Sequence, residues 1–427
     1  MKKSGKSPLV RNILAVATGT AAGQAIVFAF SPLITRIYTP EIFGVQGVFL
    51  SLISVLSPLV ALRYPMAIVI ADDDDDAGKI ARLSMLVAFV ISSLLGLLLL
   101  VVQQPVLRLL GAEALGNLIW LLPLALFCVA LQDVADFHAA RLNAFRLVGV
   151  TTVIQAFLSN LARVLGGLAS PVAGVLVLVT TLAPSLQALI LRCGLHKHLS
   201  PSSLLKRSEA VRLLRRYRDF PRYRMPTDVL NAASQSVPVI MLGSLFSPAA
   251  AGLYVLTRSV LNLPSNIIGS AVGNVLYARY AELDRQGKAL IPLLLRSTAG
   301  LMLLAPVIGA AAWFAPGVFA FVFGEEWREA GHYARWMALW IGVALANVPA
   351  VRLAPVIEAQ NLLFITNVLI LILRVFSIMT IYWYQENAAT AVAAFSLVSL
   401  FSNIGLILLI GNAAYRHEKT RNHNLTS

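Results

Sequence analysis

Residues Leu195–Arg224 read LHKHLSPSSLLKRSEAVRLLRRYRDFPRYR, and nine of them are Lys or Arg. This is the longest polar stretch of a 427-residue chain, and it falls near the midpoint. The sequence on either side is of another kind: apolar runs separated by short polar punctuation. Six runs precede the basic stretch, at about 10–36, 42–65, 80–103, 115–135, 147–169 and 171–193. Six follow, at about 225–246, 250–276, 291–316, 332–355, 359–384 and 387–412. Each is long enough to cross ~30 Å of hydrocarbon as a helix of ~20 residues. Within lipid a helix satisfies every backbone N–H and C=O by itself. The pattern therefore predicts an all-α integral membrane protein of about twelve transmembrane helices in two six-helix lobes. The expected domains are an N-terminal lobe at 1–194, a basic cytoplasmic linker at 195–224, a C-terminal lobe at 225–412 and a cytoplasmic tail at 413–427.

Composition agrees. The chain is 58% hydrophobic and 13% charged, with mean hydropathy +0.78, whereas an average soluble domain is about 25% charged. A soluble enzyme, a disordered protein and a nucleic-acid binder are excluded. The net charge of +14 then has a topological explanation, since Lys and Arg collect in cytoplasmic loops. With the N-terminus inside, cytoplasmic segments and their helix ends hold 26 of the 34 basic residues and outer segments hold four, Arg36, Arg108, Arg328 and Arg335. Both termini are expected in the cytoplasm. Met1–Arg11 is basic and Ala15-Val16-Ala17 has the look of a cleavage site, but Arg11 and Asn12 interrupt the apolar core that a signal peptide needs. The segment reads as a first transmembrane helix with a basic lead. The linker itself reads either as a topology anchor or as a cationic helix lying on the inner leaflet, with Leu204, Leu205, Val211, Leu214 and Phe220 as its apolar positions.

A short signature recurs in the two halves. Thr39–Gly44 is TPEIFG and Ser247–Gly252 is SPAAAG, 208 residues apart and both between the first two spans of a half. A hydroxyl N-cap followed by Pro at the first helical position starts a helix at once. Paired lobes of this kind are a transporter architecture, with cargo bound between them.

Four Arg fall inside spans: Arg163, Arg258, Arg352 and Arg374. An Arg at a helix centre costs roughly 2.5–3.5 kcal/mol on insertion scales. Arg258 and Arg374 lie deep enough to suggest a water-filled cationic cavity for an anionic cargo. Arg163 and Arg36 join them as candidates, Arg36 being placed as well for snorkelling to headgroups, which is the reading for Arg352. Arg258, Asn262, Asn266, Ser270 and Asn274 form an i,i+4 ladder along span 8. Asp228, Asn231 and Gln235 share one face of span 7. Either set lines the cavity or bonds to a neighbouring helix. No acid lies near a span midpoint: Asp133, Asp136, Asp228 and Glu358 are all near span ends. Exporters of cations need deep carboxylates, so Arg without them points to an anion. The run Asp72–Asp76 reads as a solvated loop rather than a cation site. Cys128 and Cys193 fall in apolar runs without a CxxC, and His196 and His198 make no recognised metal motif. There is no Walker A and no G-x-S-x-G. No cofactor is expected, and proton and sodium both stay open as coupling ions.

Four stretches carry a family resemblance. They are PLITRIYTPEIFGVQGVFLSLISVLSPLVALRYPMAI at Pro32–Ile68, YRDFPRYRMPTDVLNAASQSVPVIMLG at Tyr217–Gly243, GLYVLTRSVLNLPSNIIGSAVGNVLYARYAEL at Gly252–Leu283 and FGEEWREAG at Phe323–Gly331. They resemble Wzx-type polysaccharide and O-antigen flippases of the multidrug/oligosaccharidyl-lipid/polysaccharide exporter superfamily. The resemblance implies a twelve-helix transporter of the bacterial inner membrane, not an enzyme, whose partners are an undecaprenyl-diphosphate-linked oligosaccharide, membrane lipid and other polysaccharide-assembly proteins. It implies transfer from the inner to the outer leaflet by alternating access, in lipopolysaccharide or related pathways. Arg258 occupies the place of an Arg in the family's GLY…R segment. Guanidinium suits a diphosphate, and Asn and Gln suit sugar hydroxyls. The rivals are a drug or metabolite exporter of the same superfamily, a membrane polysaccharide polymerase or ligase, for which the outer loops are short, and a peptidoglycan-precursor flippase, which has extra spans.

Overall fold

The computed structural model describes residues 8–109, 112–196 and 205–426, the side chains of 8–17, 109, 264, 266, 267, 270, 271, 274 and 422–426 excepted. Among the described residues there is no strand. The chain forms two compact units, Met1–Ser244 and Leu245–Ser427.

The first unit holds α1 (Pro8–Ile37), α2 (Pro40–Val60), α3 (Asp74–Leu109), α4 (Leu122–Arg141), α5 (Phe145–Ala169), α6 (Ala173–Leu195), α7 (Arg207–Arg216) and α8 (Met225–Leu245). The second holds α9 (Pro248–Arg285), α10 (Ile291–Met302), α11 (Leu304–Trp313), α12 (Ala315–Phe323), α13 (Arg328–Ala346), α14 (Val348–Leu353), α15 (Gln360–Gln385) and α16 (Ala388–Thr426). Among the described residues, ten helical stretches are long and apolar enough to cross a membrane. They coincide with expected spans 1–6 and 9–12. Expected spans 7 and 8 are helical, as α8 and α9, but their Asp, Arg, Asn and Gln side chains keep them too polar to stand with those ten. Val101 on α3 and Phe321 on α12 are 81% and 83% exposed, which a protein tolerates when its outer surface meets lipid. This is a multi-pass membrane protein.

Local chemistry explains the breaks. Pro306 has no N–H to give Met302, and α10 stops there. Pro349 separates α13 from α14 in the same way. The two TP/SP signatures both start helices, yet differently. Ser247 accepts a hydrogen bond from the Ala250 N–H at 3.1 Å, while Thr39 makes no side-chain cap. In the first unit α1 crosses α5 so closely that a Cβ at Gly19 would stand 2.3 Å from the Gly149 Cα. Small residues at such crossings are how helices associate in lipid, where burial of apolar surface gives no driving force.

Asp72, Asp73 and Asp74 are solvent-exposed, as expected, but Asp74–Asp76 form the first turn of α3 and Asp76 is buried. Asp73 caps α3, accepting the Asp76 N–H at 2.6 Å. The neighbouring acids pair with basic residues: Asp72 with Arg216 at 2.6 Å, Asp74 with Arg141 at 3.0 Å, Asp75 with Lys79 at 2.8 Å and Asp76 with Arg212 at 2.8 Å. Lys79 also meets Glu209 at 2.6 Å. Thus one face of the basic helix α7 packs on protein, while Val211, Arg212, Arg215 and Arg216 stay exposed. Its Leu213 is fully buried, and Tyr217 nearly so, against Tyr64, Ala67, Ile68, Ala77 and Ile80. Exposed ion pairs are weak because solvent screens them and two long side chains must be ordered, whereas Leu213 is wholly removed from solvent; the apolar contact holds α7 and the charges set its register. The Arg216 guanidinium holds the Asp72 carboxyl below the usual carboxylate range, and the Lys79 ammonium does the same for Glu209. Lys197 and His198 lie outside the described residues.

In the second unit the expected tail at 413–427 continues α16. Glu418 accepts the Leu290 and Ile291 N–H groups at the start of α10. Arg421 meets Asp284 at 2.8 Å and the carbonyls of Gly287 and Lys288.

Candidate functional site

Arg258 lies ten residues after Pro248, about 15 Å along α9 at 1.5 Å per residue. One turn earlier on the same face is Tyr254, 2% exposed. The residue just before Arg258, Thr257, donates its hydroxyl to the Ala330 carbonyl at 2.8 Å and ties α9 to α13. Arg258 and Asn262 are both half-buried. The backbone of α9 is helical through Asn266, Ser270 and Asn274, so the expected i,i+4 spacing holds. The side chain of Asn266 lies outside the described residues, as do those of Ser270 and Asn274.

Arg374 lies in the middle of α15. Its Nε donates to the Ser399 hydroxyl at 3.0 Å, and Ser399 is fully buried on α16. The guanidinium carbon stands 5.2 Å from the Phe395 ring centroid and 5.7 Å from that of Trp340. Those two rings meet edge to face at 6.1 Å, and Tyr254 meets Phe395 in the same way at 6.1 Å. Four helices, α9, α13, α15 and α16, thus converge on one cationic and aromatic cluster. Arg258 and Arg374 lie within electrostatic reach of each other and of the Tyr254 phenol. Among the described residues no carboxylate pairs with Arg374, and its terminal nitrogens make no hydrogen bond. Ring faces stabilise a cation without neutralising it, and the Ser399 bond fixes the plane of the fork. The cluster can therefore present guanidinium N–H donors to an anion.

The remaining candidates belong to the first unit. Arg163 on α5 donates from Nη1 to the Asn160 Oδ1 at 3.4 Å, and the Tyr38 hydroxyl donates to its carbonyl at 2.8 Å. Its Nε is buried without a partner among the described residues. Tyr38 fits there because Gly167 leaves room: a Cβ would stand 2.6 Å from the phenolic oxygen. Arg36, in the last turn of α1, is exposed. Asn231 is exposed on α8, and Gln235 lies one turn further along the same helix, also exposed. The structure thus brings Arg258 and Arg374 together in one unit and holds Arg163 in a polar pocket of the other. Arg352 does more than snorkel: it lies over Gly273 of α9, where a Cβ would come within 2.7 Å of its Nε.

The acids near span ends also gather. Arg63, in a left-handed backbone conformation at φ 59°, meets Asp228 at 2.8 Å and Asp133 at 3.5 Å. Arg224 also reaches Asp228, at 3.2 Å. Asp136 accepts from Gln132 and Gln187, each at 3.5 Å. Sequence reasoning placed these acids singly and missed Arg63, since the pairing joins α4 and α8 to a turn far away in the chain. It also missed Trp340, Phe395 and Ser399 as the seat of Arg374. The only sequence signal within reach was Tyr254, four residues before Arg258.

A family model described as polysaccharide biosynthesis protein matches residues 33–332. The succinoglycan biosynthesis transport protein ExoT of Rhizobium meliloti (strain 1021) is 24% identical over 320 residues. That match takes in 74% of this chain and 63% of ExoT, so the chain spans less than two thirds of that relative's length. Among solved structures, the lipid II flippase MurJ in an inward closed conformation superposes with a TM-score of 0.74 at 11% identity, over 96% of this chain and 90% of MurJ. A transporter of the MOP superfamily from Pyrococcus furiosus gives 0.59 at 13% identity, over 95% and 96%. The MATE transporter VcmN of Vibrio cholerae, in its bent form, gives 0.56 at 13%, over 97% of this chain and 98% of VcmN. These likenesses establish the fold, and every protein among them is a transporter or flippase rather than an enzyme.

Proposed function

The chain belongs to the polysaccharide biosynthesis protein family, and we propose that it flips an undecaprenyl-diphosphate-linked oligosaccharide from the inner to the outer leaflet of a bacterial inner membrane. Arg258 and Arg374 contact the diphosphate; Asn262, Asn266, Asn231 and Gln235 serve the sugars; Arg163 and Arg36 are further cationic contacts. The carrier's tail stays in lipid while the polar head crosses by alternating access. The basic linker at 195–224 separates the first six expected spans from the last six, and both termini are cytoplasmic.

The observation that supports this reading best is Arg374. A half-buried guanidinium with no counter-carboxylate among the described residues is costly. It is retained where a ligand brings the negative charge. Diphosphate oxygens accept the fork in bidentate, charge-assisted pairs. A cation exporter would gain nothing from two arginines in one cluster. The name of the ExoT relative concerns succinoglycan, which favours an exopolysaccharide of that type over O-antigen or lipopolysaccharide.

The test is genetic and chemical together. Deleting the gene should cause one lipid-linked oligosaccharide to accumulate in the inner leaflet, and re-expression of the parent chain should clear it. Re-expression of Arg374→Gln at normal abundance should not. A deletion strain that accumulates no lipid-linked sugar would end the proposal.

A further inference from the structure

A cavity of about 490 Å³ opens in the first unit among α3, α4 and α6, and none of the candidate arginines Arg36, Arg163, Arg258 and Arg374 lines it. Its polar lining is Arg82, His138, Arg192 and Ser185, and among the described residues no Asp or Glu lines it. Its apolar wall includes Met85, Leu131 and Leu189. Space exists because Gly78, Ala81, Ala135 and Ala188 face inward with little or no side chain.

The placement is informative. Arg82 lies near the start of α3, while His138 and Arg192 are each three residues from the ends of α4 and α6. All three helix ends meet at the level of the Asp72–Asp76 run and α7. The polar residues therefore lie at one edge of the helical body, and the apolar wall continues from them along the helices. Leu189 in the lining is 61% exposed, so the cavity opens onto the outer, apolar surface of the helices.

Arg141 is held by Asp74 and by the carbonyls of Ile68 and Ala71. The His138 Nδ1 lies 3.0 Å from the Val134 carbonyl, which leaves the other ring nitrogen for the cavity. Arg192 forms no ion pair among the described residues. The lining thus joins basic side chains, with no carboxylate among the described residues, to an apolar slot, the complement of a phosphate head on an acyl chain.

We propose that this cavity binds an anionic phospholipid of the membrane, its phosphate on Arg82 and Arg192 and one chain along Met85, Leu131 and Leu189. The site is independent of the transported cargo. A resident lipid here would fill the slot and brace α3 against α6.

The full chain, purified in mild detergent, is tested by native mass spectrometry with phosphatidylglycerol, phosphatidylcholine and undecaprenyl phosphate as probes. The parent should retain phosphatidylglycerol in preference to phosphatidylcholine. The double variant Arg82→Gln/Arg192→Gln should lose that retention roughly tenfold, the scale of losing charge-assisted contacts to a phosphate. Leu131→Trp, which fills the slot and keeps both arginines, should lose it too. Arg285→Gln, at the end of α9, should change nothing. Undecaprenyl phosphate should not displace phosphatidylglycerol at equal concentration. Unchanged retention by a folded double variant or by Leu131→Trp overturns the proposal. So does equal binding of phosphatidylcholine, which would mean an apolar groove without headgroup selection. Displacement by undecaprenyl phosphate overturns the phospholipid assignment in favour of the carrier lipid.

Discussion

Arg374→Gln separates stability from function. In the parent the guanidinium has one hydrogen bond, Nε to the Ser399 hydroxyl at 3.0 Å, and two ring faces at 5.2 and 5.7 Å. Against these favourable contacts stand the desolvation of the charge and the repulsion of Arg258. Replacing a half-buried, uncompensated charge by a neutral group is often neutral or stabilising. Gln keeps an N–H that can reach Ser399. The thermal midpoint of the purified variant should therefore stay level or rise. Binding should move the other way. Loss of a bidentate, charge-assisted pair costs about 2–3 kcal/mol. At 1.4 kcal/mol per factor of ten, affinity for undecaprenyl diphosphate should fall about 30- to 150-fold. Arg374→Glu should fall further, since an anion would face the diphosphate at low local dielectric. The assays are a thermal melt and ligand titration on the same preparations, followed by export per folded molecule. Parent-like affinity in a folded Gln variant would refute the reasoning. A lower midpoint with unchanged affinity would mean that Arg374 only braces α15 against α16.

Arg258→Ala should abolish export at normal membrane abundance, and Arg258→Lys should restore it only in part because a point charge replaces a fork; full export by the Ala variant rejects the assignment. Leu213→Ala should destabilise the docking of α7 by about 2–5 kcal/mol, the range for a buried Leu truncation, read as faster proteolysis within 207–216. The ion pairs of α7 carry a pH signature. Asp72 and Glu209 have folded pKa values below their ordinary ones, so their contribution is present above pH ~4 and is lost as pH falls through the depressed values. Protection of α7 should weaken in acid and not in mild base; the opposite profile would reject the pairing. Cysteine placed at Glu326 should label from outside intact cells and cysteine at Arg212 only after permeabilisation, and outside labelling at Arg212 would reverse the topology.

Much of the fold is legible in the chain because its determinants are local. Hydropathy over ~20 residues settles that the helices cross lipid. Ser247-Pro248 announces the start of α9, because a proline acts on its own turn; the breaks at Pro306 and Pro349 are not legible, since Pro32, Pro58, Pro105, Pro184 and Pro238 lie inside unbroken helices. The depth of Arg258 and Arg374 can be counted along the sequence, so the chain by itself shows that two charges need explaining. What holds them is not visible there. Phe395 and Ser399 come from α16 and Trp340 from α13, and nothing in their spacing marks them as the seat of a cation. Asp72–Asp76 looked solvated because sign and exposure were all that could be read. Its partners lie up to 144 residues away, for Asp72 and Arg216. The docking of Leu213 is hidden for the same reason: an amphipathic face states that something apolar covers it, and only packing shows that protein covers this one. Arg63 needed a left-handed turn to meet Asp133 and Asp228. Periodicity reports one helix at a time, whereas an ion pair, a ring clasp or a cavity depends on where several helices place their side chains at once, and that is decided by close packing between residues the chain keeps far apart.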